Sequence, residues 1–464
     1  MKHGSSSPNA RTPKRGPLPT PPAFAMCDMV VAMPCRSRVW PTGRAPAPAN
    51  IRHHIISAYY FRAINDDSTS HLILKMHHNK NGAFYPNLES LRGLAALMVA
   101  FAHSYSAISF SGVDKLWALP VWQVGELDAL FAKFILIFSN GTAAVTIFFV
   151  LSGVVLGLSL DASMQPFPQR YVEFLIKRIF RIYPSHLFVL FGICMLLFFS
   201  GWVNPGTFER ATTWYNWFYL SLPDIRSVLN NALLLQVLLN PVTWTLAVEV
   251  AVALIFPLLH TSSRHPFRPA VLQSFILICL IVLPKLLPQH DILLPHIYKF
   301  YAGLLIPIYG TTIAMWITER FAFLRFSTHT LLTIALTALL VEPALVQNEA
   351  FDSISRTVGA VILIHILSLR TSGGLLHLHI IKKLGQYSYS FYLIHFPLLW
   401  FGYYIIHSVS VGEELIRNFT LPVASVMALI SVVVAYFLAS ISYWLIEKPS
   451  LLFGRNLARK FRKN

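Results

Sequence analysis

Arg92 and His103 are the first two residues from which a chemistry can be read. Both fall in Asn87 to Phe110, NLESLRGLAALMVAFAHSYSAISF, a polar start followed by an apolar run of about bilayer length. His103 lies eleven positions after Arg92. At roughly 1.5 Å per residue that is about 16 Å of depth, and eleven steps of about 100° return to within about 20° of the start, so the two share one helix face. A guanidinium stands at the mouth and an imidazole near mid-membrane. An ionisable group at that depth is costly unless it faces a protein or water-filled interior, which makes it a candidate for function, with a structural histidine bonded to a neighbouring helix as the other explanation.

A second set lies further along. The segment FLIKRIFRIYP puts Lys177, Arg178 and Arg181 at the start of another apolar span. Arg178 and Arg181, three positions apart, present two planar forks on one helix face, a geometry suited to phosphate or pyrophosphate. The same residues also suit topology signalling or lipid headgroup contact. Arg92 is on the same side of the membrane, and three converging arginines favour an anionic cytosolic ligand over lipid alone. Within NPVTWTLAVEVAVALIF, Glu249 follows Trp244 by five residues. A bare carboxylate there is costly, so it is protonated or paired, either with a structural partner or in a role orienting His103. His395 in GQYSYSFYLIHFPLLW and Glu447 in YWLIEKP lie nearer span ends, where interfacial hydrogen bonding competes with a direct role.

Membrane helices are needed to position these groups, and the composition supplies them. Of 464 residues, 55% are apolar and only 12% charged, which excludes an ordinary soluble domain. The net charge of +17 resolves into loop asymmetry and an N-terminal tail, so nucleic acid is excluded as a partner. Cys27, Cys35, Cys194 and Cys279 show no metal spacing and no disulfide framework. From Leu91 onward, ten apolar spans are centred near residues 100, 151, 192, 253, 279, 308, 337, 363, 396 and 433. Alternate loops carry the bases: Arg170, Lys177, Arg178 and Arg181; Arg264 and Arg268; Arg320 and Arg325; Arg370, Lys382 and Lys383; and the terminal RNLARKFRKN. The expected fold is all-α, a polytopic membrane protein of about ten transmembrane helices with both termini cytoplasmic. Residues 1–80, whose first 50 positions hold ten of the 29 prolines, are expected to form a disordered basic tail, with Met76 as an alternative start. Residues 454–464 are expected to form a second, basic cytoplasmic tail.

In order, LESLRGLAALMVAFAH, FFVLSGVVLG, KRIFRIYP, WTLAVEV, GQYSYSFYLIHFPL and LIEKPSL resemble the acyltransferase-3 family of integral membrane O-acyltransferases. The resemblance covers about residues 87 to 453, which it makes a membrane acyltransferase module. Arg92 and His103 match the family's arginine–histidine pair, Arg178 and Arg181 its Arg-x-x-Arg, and Ser152 and Gly153 its Phe-Phe-x-x-Ser-Gly element. Glu249, Tyr389, His395 and Glu447 match positions typical of its later motifs, and Glu89 and Trp244 stand within matching segments. The resemblance implies transfer of an acyl group, commonly acetyl from acetyl-CoA, to a hydroxyl of a glycan or other acceptor. Arg92, Arg178 and Arg181 would then bind acyl-CoA, with His103 and Glu249 catalytic and the others supporting. No metal and no permanently bound cofactor is expected; acyl-CoA enters as co-substrate. The expected location is the plasma membrane, the inner membrane in a bacterium. The competing class is a proton-coupled transporter or flippase of an anionic substrate, which intramembrane His and Glu beside cytosolic arginines would also serve.

Overall fold

The computed structural model describes residues 86–263, 270–286, 293–320, 327–341, 349–369 and 374–461. The expected tail 1–80, the last residues of the second tail, 462–464, and the loop arginines Arg264, Arg268, Arg325 and Arg370 lie outside the described residues.

Helices make up the described chain, joined by short 3-10 turns and loops, and its only β features are two isolated bridges. Helix α1 (Pro86–Ser106) carries Arg92 and His103 and starts on a proline, whose fixed φ suits a first helical turn. The apolar α2 (Leu127–Phe138) precedes α3 (Gly141–Asp161), where Asn140 caps the new helix by accepting from the Ala143 N–H at 3.0 Å. Helix α4 (Phe167–Ser200) runs 34 residues from a proline-rich start to Gly201, which closes it at φ 63°. Two short helices, α5 (Thr213–Asn216) and α6 (Ile225–Ala232), occupy the loop that follows. Then come α7 (Trp244–Ser263), α8 (Ala270–Leu286), α9 (Leu294–Arg320), α10 (Thr328–Leu336) with a π turn after it, and α11 (Glu349–Leu369). Helix α12 (His379–His407) bends by 102° into α13 (Ser410–Asn418). The last apolar helix, α14 (Thr420–Ser442), continues through a π turn at Tyr443–Glu447 into the basic α15 (Lys448–Phe461).

Six helical stretches among the described residues are long and apolar enough to cross a membrane, seven if the bent pair α12 and α13 counts as one span. Three further helices complete the ten expected positions. Helix α1 is less apolar because Glu89, Arg92 and His103 interrupt it, and α8 and α10 are short. The chain is thus an all-α polytopic membrane protein, and every expected span centre falls on a helix.

Close backbone approaches fix the register of the helices that carry the candidate residues. Helices α1 and α12 meet at Gly93 and Gly385, where a Cβ on Gly93 would stand 2.5 Å from the Gly385 amide nitrogen. Helices α3 and α9 meet at Gly153 and Gly303, where a Cβ on Gly153 would collide with the Phe300 carbonyl. In a bilayer, where hydrocarbon solvates apolar side chains well, such small-residue contacts are a main source of helix association.

Candidate active site

The candidate residues gather in two sets, at the two ends of the stretch from Arg92 to His103 on α1. The first set is charged. Arg181 of α4 donates from Nη1 to Glu447 Oε1 at 2.8 Å, and Ser390 Oγ of α12 donates to Glu447 Oε2 at 2.7 Å. Glu447 is fully buried at the end of its π turn, so both carboxylate oxygens are satisfied where water cannot reach them. The Arg181 guanidinium also lies over the Tyr389 ring, 5.2 Å from its centroid, and the Tyr389 hydroxyl donates to the Ile182 carbonyl at 2.7 Å. Arg181 is therefore held on two sides.

Arg178 and Arg92 are differently placed. Arg178 lies over the Phe174 ring at 5.8 Å, and both arginines are within electrostatic reach of Glu249 and of Arg181. No carboxylate among the described residues forms an ion pair with either one. Glu249 of α7 instead accepts from Ser152 Oγ of α3 at 3.1 Å. Glu89 stands at the rim, in electrostatic reach of Arg92 and Arg181. This arrangement presents two half-buried guanidinium forks, on α1 and α4, with their hydrogen-bonding edges uncommitted to protein carboxylates. Such forks can take a phosphate bidentately.

The second set is aromatic. His103 Nδ1 lies 3.0 Å from Nε2 of His395 on α12, and the two ring planes differ by only 11°. Trp214 stacks on His103 at 5.4 Å between centroids, and Phe396 meets its edge at 5.9 Å. His395 is buried, whereas His103 keeps a partly open side. Trp214 comes from the short α5, which is tied back to the end of α1. Thr212 Oγ1 donates to the Ser106 carbonyl at 2.7 Å, and Thr213 donates from both its N–H and its hydroxyl to the Asp114 carboxylate at 2.6 Å each.

Most of the residues singled out in the sequence thus converge from distant segments. Arg92, Arg178, Arg181, Ser152, Glu249, Tyr389, Glu447 and, at the edge, Glu89 form the charged set; His103 and His395 form the deep pair. Glu249 accepts from Ser152 within electrostatic reach of Arg92 and Arg178, and the Nδ1 of His103 is met by His395. Gly153 is a contact between helices, and Trp244 packs against Phe149 and His296. Trp214 and Ser390 escaped the sequence reading. The aromatic run WYNWFY was the available signal for Trp214, since such a cluster in a loop between spans has little reason to exist unless it packs inward.

Comparison with known proteins bears on this arrangement. A family profile described as "Acyltransferase domain" matches residues 85–442. The O-acetyltransferase OatA proteins of Staphylococcus aureus strains NCTC 8325 / PS 47, COL and MRSA252 are each 29% identical over 200 residues. Each match covers 40% of this chain and 31% of the relative, so the chain spans about a third of the length of these proteins. No solved structure matches the chain.

Proposed function

The chain belongs to the acyltransferase-3 family, and from that premise we propose that it is an O-acyltransferase of the plasma membrane. It would move an acyl group, acetyl in the first instance, from acyl-CoA at the cytosolic face to a hydroxyl of a glycan or other envelope acceptor. The observation that carries this reading is the placement of uncommitted Arg92 and Arg178 at one end of α1 and the His103–His395 pair at the other. Coenzyme A has phosphates for the arginines and a thin pantetheine arm long enough to cover about 16 Å of α1 toward His103. The name of the relatives, O-acetyltransferase, agrees with acetyl as the group moved.

In this reading the residues divide the work. Arg92 and Arg178 hold the donor's phosphates, and Arg181, fixed by Glu447, shapes the α4 side of that site. His103 is the general base: with Nδ1 engaged by His395, Nε2 is the nitrogen left for chemistry. It takes the acceptor's hydroxyl proton as the oxygen attacks the thioester carbonyl; the carbon–sulfur bond breaks, and the proton passes to the departing thiolate. The products are an ester and free coenzyme A.

The test is release of coenzyme A thiol from acetyl-CoA by detergent-purified full-length protein, with O-deacetylated envelope glycan as acceptor. Thiol release matched by ester formation is expected. Absence of thiol release, together with translocation of an anionic solute in proteoliposomes, would replace this reading with a transporter.

A further inference from the structure

We propose that His395 is a positioning residue for the transfer reaction, holding His103 in the tautomer whose Nε2 carries the basic lone pair. The inference rests on the reading of His103 as the base and adds how that base is kept ready inside a membrane without a carboxylate.

The geometry of the pair is specific. The separation of 3.0 Å between His103 Nδ1 and His395 Nε2 is a hydrogen bond, so one nitrogen bears a proton and the other a lone pair. The centroid separation of 5.3 Å is close to that distance plus one ring radius at each end, and the planes are 11° apart. The rings therefore lie nearly end to end, and the bond runs in both ring planes, along the lone-pair direction. Trp214 across one face of His103 and Phe396 at its edge restrict rotation out of that line.

Two proton arrangements satisfy the contact, and they differ in consequence. If His395 gave its Nε2 proton, His103 would keep its own proton on Nε2 and offer no base to the acceptor. If His103 gives its Nδ1 proton, its Nε2 is basic and His395 carries its proton on Nδ1. The reading of His103 as the base requires that second arrangement, and His395 Nδ1 is buried with no other hydrogen-bond partner among the described residues to draw its proton balance the other way. When Nε2 of His103 takes up the acceptor's proton, the His395 lone pair stabilises the resulting imidazolium. In hydrolases with a Ser-His-Asp triad an aspartate does this. Here two carboxylates of the charged set are engaged elsewhere, Glu249 by Ser152 and Glu447 by Arg181 and Ser390, and the third, Glu89, stands at the rim within electrostatic reach of Arg92 and Arg181. A neutral imidazole avoids burying another charge at that depth.

His395→Phe and His395→Gln separate positioning from packing. Phe keeps the ring and its contacts but cannot accept a hydrogen bond. Gln places a carbonyl oxygen near the site of Nε2 and can accept from Nδ1–H. With full-length protein, acetyl-CoA and O-deacetylated envelope glycan, His395→Phe should lower kcat on the order of a hundredfold or more, with KM for acetyl-CoA and the thermal midpoint unchanged. His395→Gln should recover most of kcat. Wild-type kcat in His395→Phe, or better recovery by Phe than by Gln, would overturn the proposal. Should the Phe variant not fold, the Gln variant decides alone: kcat within about tenfold of wild type supports positioning, and a larger fall in folded protein overturns it. An active His103→Gln variant would instead remove the general base itself, and an inactive one beside a fully active His395→Phe would remove only the role of His395.

Discussion

Arg181 and Glu447, 266 positions apart in sequence, form an ion pair at the heart of the charged set, with Nη1 2.8 Å from Oε1 and the carboxylate fully buried. Arg178, one turn earlier on the same helix, has no such partner among the described residues. The two arginines of one motif therefore make different contacts, and substitution should separate them.

Removing Arg181 leaves Glu447 buried without its cation, a loss usually of about 3–5 kcal/mol. Because the Arg181 side chain keeps 24% of its surface exposed, the lower end applies, about 3 kcal/mol. Arg181→Ala should lower the thermal midpoint in detergent, and adding Glu447→Gln should restore part of it. Arg178→Ala should leave the midpoint alone and raise KM for acetyl-CoA by about tenfold to a hundredfold, the worth of a charge-assisted hydrogen bond. Equal thermal loss in both single variants would contradict the division.

The helix contact at Gly385 should be intolerant of a side chain. A Cβ there would stand 2.5 Å from the Glu89 carbonyl oxygen and 2.8 Å from its carbon, backbone that cannot move without shifting α1. Gly385→Leu is expected to lower stability by about 1–3 kcal/mol and to reduce turnover as well, because α1 and α12 carry the two histidines that must meet at 3.0 Å. Wild-type turnover in this variant would show that the register at Gly93 and Gly385 does not set the histidine pair.

Orientation follows from the loop charges. A reporter fused after Asn464 should be cytoplasmic, and one inserted at Glu414, in α13, should face outward. An external C-terminus, read by protease or thiol-reagent access, would mean that one of the short helices α8 or α10 does not cross.

The sequence made the spans legible because a bilayer imposes length and apolarity on each helix separately, and neither depends on what the helix packs against. Helix α1 shows the limit of that signal, since the residues that make it interesting also make it less apolar. The shared face of Arg92 and His103 was readable from helical periodicity, as was that of Arg178 and Arg181. Periodicity says which residues share a face, however, and not which helix that face meets. Hence His395 could be named without its partner 292 positions away, and Glu249 could be read either as structurally paired or as orienting His103, with nothing in the periodicity to point to Ser152 and the two arginines within its electrostatic reach. Trp214 lies in a loop with no period at all, and long-range tethers, of Thr212 and Thr213 to Ser106 and Asp114 and of the Tyr215 hydroxyl to the Trp400 carbonyl, bring it onto the imidazole.

The sharpest prediction concerns His103. If Nε2 is the base, His103→Ala should abolish nearly all transfer while acetyl-CoA still binds, because donor affinity resides with arginines about 16 Å away along α1. His103→Gln can still bond to His395 but cannot take up a proton at neutral pH, so it should fold normally and lose about 10² to 10⁴ in kcat. A histidine kept for packing against Trp214 and Phe396 predicts the opposite: Ala would lower the thermal midpoint, and Gln would restore activity along with the fold. Measuring thiol release, acetyl-CoA binding and thermal unfolding on the same detergent-purified variants separates the two cases, and a well-folded, active Gln variant would end the catalytic assignment.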